Sequence, residues 1–192
     1  MIKLNGPLVT PTIFHDKTSQ VWKLHEEAFE KTEFPNIIHW EFEQEAELMW
    51  VAQLLDLVFS KTGDNKIILE LPYMPYARQD KEISNETTFA KSSFVKILDN
   101  LPHLNKVLVL DVHSQFRHDN YFISNQSPLK YIKEAIREVG PTVIVFPDAG
   151  AEARYSKMLE ALPQVCCEKV RDCGTGDITG MYVDPSHLKA ND

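Results

Sequence analysis

From Asn36 onward the chain alternates short apolar runs with amphipathic stretches. Ile37, Ile38, Trp40 and Phe42 mark a strand. Leu48, Val51, Ala52, Leu55, Val58 and Phe59 then recur at helical spacing on one face, and Gly63 is placed to stop that helix. Residues 66–71 form a nearly continuous apolar run ended by Pro72. Ser84 and Asn85, good N-cap residues, introduce a helix that buries Ala90, Phe94, Ile97 and Leu98. Residues 107–110 are the next strand, and Ser127-Pro128 opens another helix closed by Gly140. A strand over 142–146 and a helix over 151–162 follow. Apolar strands alternating with helices predict an α/β fold with a parallel sheet covered on both faces. The stretch before Asn36 is less regular, and residues 20–24 are its best strand. The polar segment 116–126 reads as a link between two α/β lobes.

Composition narrows the class. The 192 residues suffice for one domain or two small ones, and apolar residues make up 43 % of them. A formal charge of −8 argues against a broad nucleic-acid surface, which needs clustered Lys and Arg. The N-terminus has no apolar signal core, and the apolar stretch 48–59 is broken by Gln53 and Asp56 and too short for a bilayer. Cys166, Cys167 and Cys173 read as reduced thiols, the first two as strand filling, and no CxxC pair suggests zinc. The expectation is a soluble cytoplasmic protein with no nucleic-acid or membrane partner.

Candidate chemistry collects after three strands, at the edge where open α/β sheets bind ligands. The first cluster is Pro72-Tyr73-Met74-Pro75-Tyr76-Ala77-Arg78-Gln79-Asp80-Lys81. The second is Asp111-Val112-His113-Ser114-Gln115, and the third Pro147-Asp148-Ala149-Gly150-Ala151-Glu152-Ala153-Arg154. Neither GxGxxG nor GxxxxGK[ST] occurs, which sets aside dinucleotide dehydrogenases and P-loop enzymes. Arg78 has a fork suited to phosphate and a plane that stacks on a base, and Gln79 offers donor and acceptor together. His118 and Asp119 are read as structural. Lys169 and Arg171, followed by Asp172, Gly174, Thr175 and Gly176, read as an exposed flexible loop with two positive charges, and 176–180 as a turn into the next strand.

The string Pro75-Tyr76-Ala77-Arg78-Gln79-Asp80-Lys81 resembles the ATP-binding signature of the ribose-phosphate pyrophosphokinases, which make phosphoribosyl pyrophosphate (PRPP). Asp111-Val112-His113, Pro147-Asp148-Ala149-Gly150 and Lys169-Val170-Arg171 resemble further motifs of that family in its order. Phe14-His15-Asp16 is similar to an element that touches adenine from a neighbouring subunit. The resemblance implies two phosphoribosyltransferase-like lobes, an ATP-binding lobe over 1–125 and a partial second lobe over 126–192. It implies ATP contacts at Arg78, Gln79, Asp80, His113, Phe14 and Asp16. Mg²⁺ would be served by His113 and Asp148, and catalysis by Lys169 and Arg171 on a mobile loop. ATP and ribose 5-phosphate are the implied substrates, and a homo-oligomer, dimer or hexamer, the implied assembly. The family's Thr-Gly-rich loop for the ribose 5-phosphate is missing, and Thr18 stands where the family has an acidic residue. The expectations are a truncated PRPP-forming enzyme, or a catalytically deficient nucleotide-binding paralogue that assembles with full-length subunits. An unrelated receiver-like α/β domain, with Asp111 as its carboxylate, is the alternative outside the family.

Overall fold

Alternation within the apolar runs decides how the sheet is covered. The computed structural model describes residues 1–30, 35–81, 84–114, 122–171 and 177–183. The chain divides into two units, Met1–Pro128 and Leu129–Asp192. The first runs β1 (Ile2–Leu4), β2 (Thr12–Ile13), β3 (Ser19–Gln20), α1 (Glu27–Glu30), β4 (Ile37–Trp40), α2 (Glu47–Thr62), β5 (Ile67–Leu71), α3 (Ala90–Asp99), β6 (Leu104–Leu110) and β7 (Ile123–Gln126). Strands β1, β4, β5, β6 and β7 make a five-stranded sheet in that order. Strands β4 to β7 are parallel, and β1 pairs antiparallel at the edge.

One face of this sheet carries the core. Ile38, Trp40, Ile67, Leu69, Leu71, Val107 and Val109 are buried there, packed in one cluster with Val51, Leu54, Leu55 and Val58 of α2 and Phe94 and Leu98 of α3. Their neighbours in register, including His39, Glu70 and Leu108, stay partly accessible. The predicted parallel sheet is therefore correct in direction, but these strands alternate rather than bury both faces. The partly accessible face carries the polar pair of His39 and Glu70, whose Nδ1 and Oε2 lie 3.5 Å apart.

Several boundaries shift for identifiable reasons. Helix α2 ends where expected: Gly63 takes φ 71°, and its N–H donates to the Phe59 carbonyl at 2.7 Å. Helix α3 begins at Ala90, with Ser84 and Asn85 outside it, and turns Ile97 outward while burying Lys91. Of the predicted 20–24 run only Gln20 joins a strand, the pair Ser19–Gln20, because Val21 N–H donates to the Gln53 side chain instead of to a strand. The segment expected to link two lobes contributes Ile123–Gln126 to the first sheet, paired with β6. Residues 116–121, including His118 and Asp119, lie outside the described residues.

The second unit runs α4 (Leu129–Val139), β8 (Ile144–Phe146), α5 (Ala149–Tyr155), a 3₁₀ turn (Ser156–Met158), β9 (Gln164–Arg171) and β10 (Ile178–Val183). Its three strands pair in the order β10-β9-β8, parallel between β8 and β9 and antiparallel between β9 and β10. Gly140, at φ 62°, closes α4 as predicted, but the helix expected over 151–162 gives way to the 3₁₀ turn after Tyr155. Phe146, Leu159, Val165 and Cys167 are buried here, whereas Tyr131, Val139, Met181 and Tyr182 are exposed. No helix of the described residues is long and apolar enough to cross a membrane.

A buried carboxylate ties the N-terminal edge of the first unit together. Glu47 is 1 % exposed. It accepts from the Trp40 indole at 2.9 Å, from the Glu43 and Gln44 N–H groups, and from the N-terminal ammonium. Burial pushes its carboxyl up, but those donors outweigh burial and hold it below the ordinary glutamate value. Asp64 is held low in the same way by Asn36 and the Lys66 N–H. A depressed carboxyl stabilises the fold above its unfolded pKa, about 4 for these acids, and that share is lost as pH falls through the folded value. Glu47→Gln turns an amide NH₂ toward groups that are themselves donors. It is expected to lower stability near neutral pH by about 1–3 kcal/mol and to flatten the acid decline. Denaturant titrations from neutral to acid pH check this, and curves that stay parallel to wild type would contradict it.

Candidate functional site

The loop after β5 is anchored by its apolar residues, which leaves its polar ones outward. Met74, Pro75 and Ala77 are buried, while Arg78 and Gln79 are exposed. The reversal occurs at Tyr76, which adopts φ 61°, a left-handed conformation strained for a bulky residue. Its ring sits 5.3 Å from Phe94 and 6.4 Å from Phe42, and its hydroxyl donates to Glu45 at 2.5 Å. That bond pushes the phenol up, burial and the nearby charge adding to it. A turn bond from Gln79 N–H to the Tyr76 carbonyl at 3.0 Å closes the loop.

The loop after β6 meets it through a charged cluster. Asp111 takes φ 51° and donates its N–H to Gln126, and Val112 donates to the Asn125 side chain at 2.9 Å. These bonds to β7 fix the chain just before His113, which is exposed, and Ser114. Lys91, only 3 % exposed, donates from Nζ to both the carbonyl and the hydroxyl of Ser114, each at 2.7 Å. The Ser114 hydroxyl bonds the Asp80 carboxylate, which this bond above all holds below the ordinary aspartate value, with His113 and Lys91 adding charge attraction. Burial pushes the Lys91 ammonium down, and Asp80 partly restores it. Arg78, Gln79, Asp80 and His113 thus share one sheet edge.

Phe14 and Asp16 lie on a separate feature, the tip of the β2–β3 hairpin. Phe14 is 43 % exposed. Asp16 accepts from the Thr18 hydroxyl at 2.7 Å and N–H at 3.0 Å, and the hydroxyl bond is the main cause of its lowered pKa. Thr18 therefore serves to hold Asp16. Helix α2 supports the hairpin through Trp50 Nε1 on the Ser19 hydroxyl and Gln53 Nε2 on the Ser19 carbonyl.

In the second unit, Asp148 caps α5. Its Oδ1 accepts the Ala151 N–H at 2.9 Å, and its Oδ2 lies 3.3 Å from Lys169 Nζ on β9. The Ala151 N–H, followed by Lys169, holds the carboxyl low. Gly150 leaves this cap its space, since a Cβ there would stand 3.2 Å from Oδ1. Lys169 and the Arg171 backbone belong to a strand paired with β10, which corrects the expected loop: hydrogen bonding to Met181 and Ile178 gives this stretch a partner. Residues 172–176 lie outside the described residues.

The donors fit magnesium as a companion of phosphate rather than as a caged ion. Mg²⁺ takes oxygen ligands, keeps several waters and is commonly held by one or two carboxylates beside a phosphate. The Asp148 carboxylate accepts from Ala151, Lys169 and the Gly150 backbone, and its two oxygens offer about four lone-pair sites in all. Among the described residues no group of three or more His, Cys, Asp or Glu could hold an ion unaided.

Lys91 and the Glu45–Tyr76 bond are what motif reading missed. The signal for Lys91 lies in its spacing: Lys91, Phe94 and Leu98 stand at i, i+3 and i+7, and all three are buried. Glu45 and Tyr76 also border a cavity of about 330 Å³ with Phe42, Leu48, Phe94 and Ile97. Its apolar walls and single carboxylate are unsuited to phosphate.

Comparisons with known proteins point to the same family. A ribose-phosphate pyrophosphokinase of Schizosaccharomyces pombe is 33 % identical over 105 residues, covering 50 % of this chain and 32 % of that one. One from Saccharolobus solfataricus is 27 % identical over 136 residues, 68 % of this chain and 46 % of its own. The crystal structure of phosphoribosylpyrophosphate synthetase from Mycobacterium smegmatis superposes with TM-score 0.63 at 18 % identity, covering 92 % of this chain and 58 % of that one, which shows a shared α/β fold. No family model matches the chain. The chain is distantly homologous to the ribose-phosphate pyrophosphokinases and spans only about a third to a half of the length of these curated relatives.

Two substitutions separate the cap of Asp148 from its charge. Asp148→Ala is expected to weaken α5 by about 1 kcal/mol through loss of the cap. Asp148→Asn keeps a capping oxygen and forfeits only the pairing with Lys169, worth about 0.2–1 kcal/mol for a pair this accessible. Hydrogen exchange across the second unit measures both, and an Asn variant as damaged as the Ala variant would contradict the cap.

Proposed function

We propose that this distant homologue of the ribose-phosphate pyrophosphokinases is the MgATP-binding part of such an enzyme, and that it serves PRPP synthesis in a form that also supplies a ribose 5-phosphate loop. The observation that carries this is the pairing of strand-end loops after β5 and β6. Arg78 and Gln79 are presented outward from a loop whose apolar residues are anchored and whose Asp80 is bonded to Ser114, beside an exposed His113. A phosphate-binding arginine on a pinned loop loses little freedom when ligand arrives.

In the proposed reaction the C1 hydroxyl oxygen of ribose 5-phosphate bonds to the β-phosphorus of ATP as the bond from that phosphorus to the α–β bridging oxygen breaks. The β,γ-pyrophosphoryl group is transferred, AMP leaves, and the hydroxyl proton passes to solvent. Arg78 and Gln79 hold the nucleotide, with Asp80 keeping their loop in place. Lys169 and Arg171 supply positive charge where negative charge spreads during transfer, the main catalytic need of this chemistry. Phe14 and Asp16, at an exposed hairpin tip, are suited to reach a neighbouring subunit's nucleotide in a homo-oligomer, dimer or hexamer. His113 and Asp148 are the residues proposed to serve Mg²⁺, which when bound neutralises phosphate charge. Cytoplasmic location accords with the sparse thiols.

A second reading has one observation in its favour. Tyr131, Val139, Met181 and Tyr182 of the second unit are each more than half exposed, apolar side chains of the kind that contact with full-length subunits of the enzyme would cover. The chain would then be a nucleotide-binding regulator without activity of its own.

Calorimetric titration with MgATP tests the nucleotide site. Binding is expected, and Arg78→Ala is expected to weaken it by about tenfold or more, the loss of charge-assisted phosphate bonds. Unchanged affinity would remove Arg78 from the site. With ribose 5-phosphate added, the chain alone is expected to release little AMP, and robust Mg²⁺-dependent AMP release would overturn the need for a further loop.

A further inference from the structure

Lys91 belongs to no motif that pointed to nucleotide chemistry, yet it is the most withdrawn cation among the described residues. Its side chain is 3 % exposed and shares the buried face of α3 with Phe94 and Leu98. Packing alone would be better served by Leu or Met, because removing an ammonium from water is costly unless it is hydrogen-bonded and paired. Lys91 meets both conditions at one place. Its Nζ donates twice to Ser114, through the carbonyl and the hydroxyl, and Asp80 supplies the opposite charge nearby. Its own N–H donates to the Gln79 carbonyl at 3.2 Å. One residue therefore grips the loop after β5 by its backbone and the loop after β6 by its side chain.

We propose that Lys91 is a positioning residue, the centre of an Asp80–Ser114–Lys91 clip that fixes Arg78 and Gln79 relative to His113 before ligand binds, an inference that rests on the nucleotide reading of this edge. The clip also changes the part played by Asp80. Its carboxylate is engaged by Ser114, so it steadies the loop from within while Arg78 and Gln79 face outward. An aspartate at this point without the clip would place a second negative charge against incoming phosphate. Bonded to Ser114, with the charges of His113 and Lys91 nearby, the half-buried Asp80 carboxylate is held in place by the protein.

The clip is tested on the whole chain by hydrogen–deuterium exchange and MgATP titration of wild type, Lys91→Met and Lys91→Arg. Lys91→Met is expected to speed exchange in the peptides carrying 77–81 and 112–114 by about tenfold or more, while β5 and β6 keep their protection. Lys91→Arg, which keeps a charged donor, is expected to recover part of the loss. Affinity for MgATP is expected to fall about tenfold in Lys91→Met and to recover with Lys91→Arg. Unchanged loop exchange, or equal acceleration in β5 and β6, would overturn the proposal and leave Lys91 a general stabilising residue. So would unchanged MgATP affinity in Lys91→Met when wild type binds. Loosened loops in a chain whose wild type binds no MgATP would keep the clip and remove the nucleotide reading. Ser114→Ala deletes the shared hydroxyl with less disturbance, and the same local pattern is expected from it should Lys91→Met not fold.

Discussion

Parallel strands deliver their C-terminal loops to one edge of a sheet, but they do not by themselves fix those loops to each other. In the first unit that is done by a charge taken out of water. The ammonium of Lys91 is held at 2.7 Å by two oxygens of Ser114, with the Asp80 charge partly offsetting the cost of its burial. An ammonium so placed tolerates few arrangements of its neighbours, because each lost bond would leave buried charge unmatched. The conformations of two otherwise accessible loops are thereby made to depend on each other. Arg78, Gln79 and His113 gain their relative placement from that dependence.

The same principle recurs twice more in this unit, beside the C-terminal end of β4 and at the N-terminal ends of β4 and β5. Glu47 gathers the Trp40 indole, two backbone N–H groups and the terminal ammonium, and Asp64 gathers Asn36 and Lys66. Among the described residues no buried side-chain nitrogen or oxygen lacks a partner. The second unit has a smaller buried set and uses Asp148 differently, as a helix cap that also faces Lys169. Its helix α4 buries no residue, in contrast to α2 and α3.

Much of the fold was legible because it depends on local spacing. The strands over Ile37, Ile67 and Val107, the α2 face, and the stops at Gly63 and Gly140 all follow from periodicity and backbone preference. What was not legible depends on partners far along the chain. Residues 123–126 are polar at their end and became a strand only by pairing with β6. Lys169 and Arg171 looked like a loop because charge outweighed β-propensity, yet β10 supplies them a partner. On α3 the expected face was Ala90, Phe94, Ile97 and Leu98, whereas the structure buries Lys91 with Phe94 and Leu98 and leaves Ile97 exposed. Arg78, Gln79, His113 and Asp148 were legible as strand-end residues because each follows an apolar run that forms a strand. The clip that holds the first three was hidden in an i, i+3, i+7 pattern with a charged first member.

The central claim is that MgATP lands on the coupled loops after β5 and β6, and amide chemical-shift mapping of the whole chain during a MgATP titration tests it most directly. The account predicts saturable shifts at 78–81 and 112–114, with β1 unmoved. Shifts confined to the apolar cavity beside Phe42 and Ile97, or no shifts at millimolar MgATP, would contradict it.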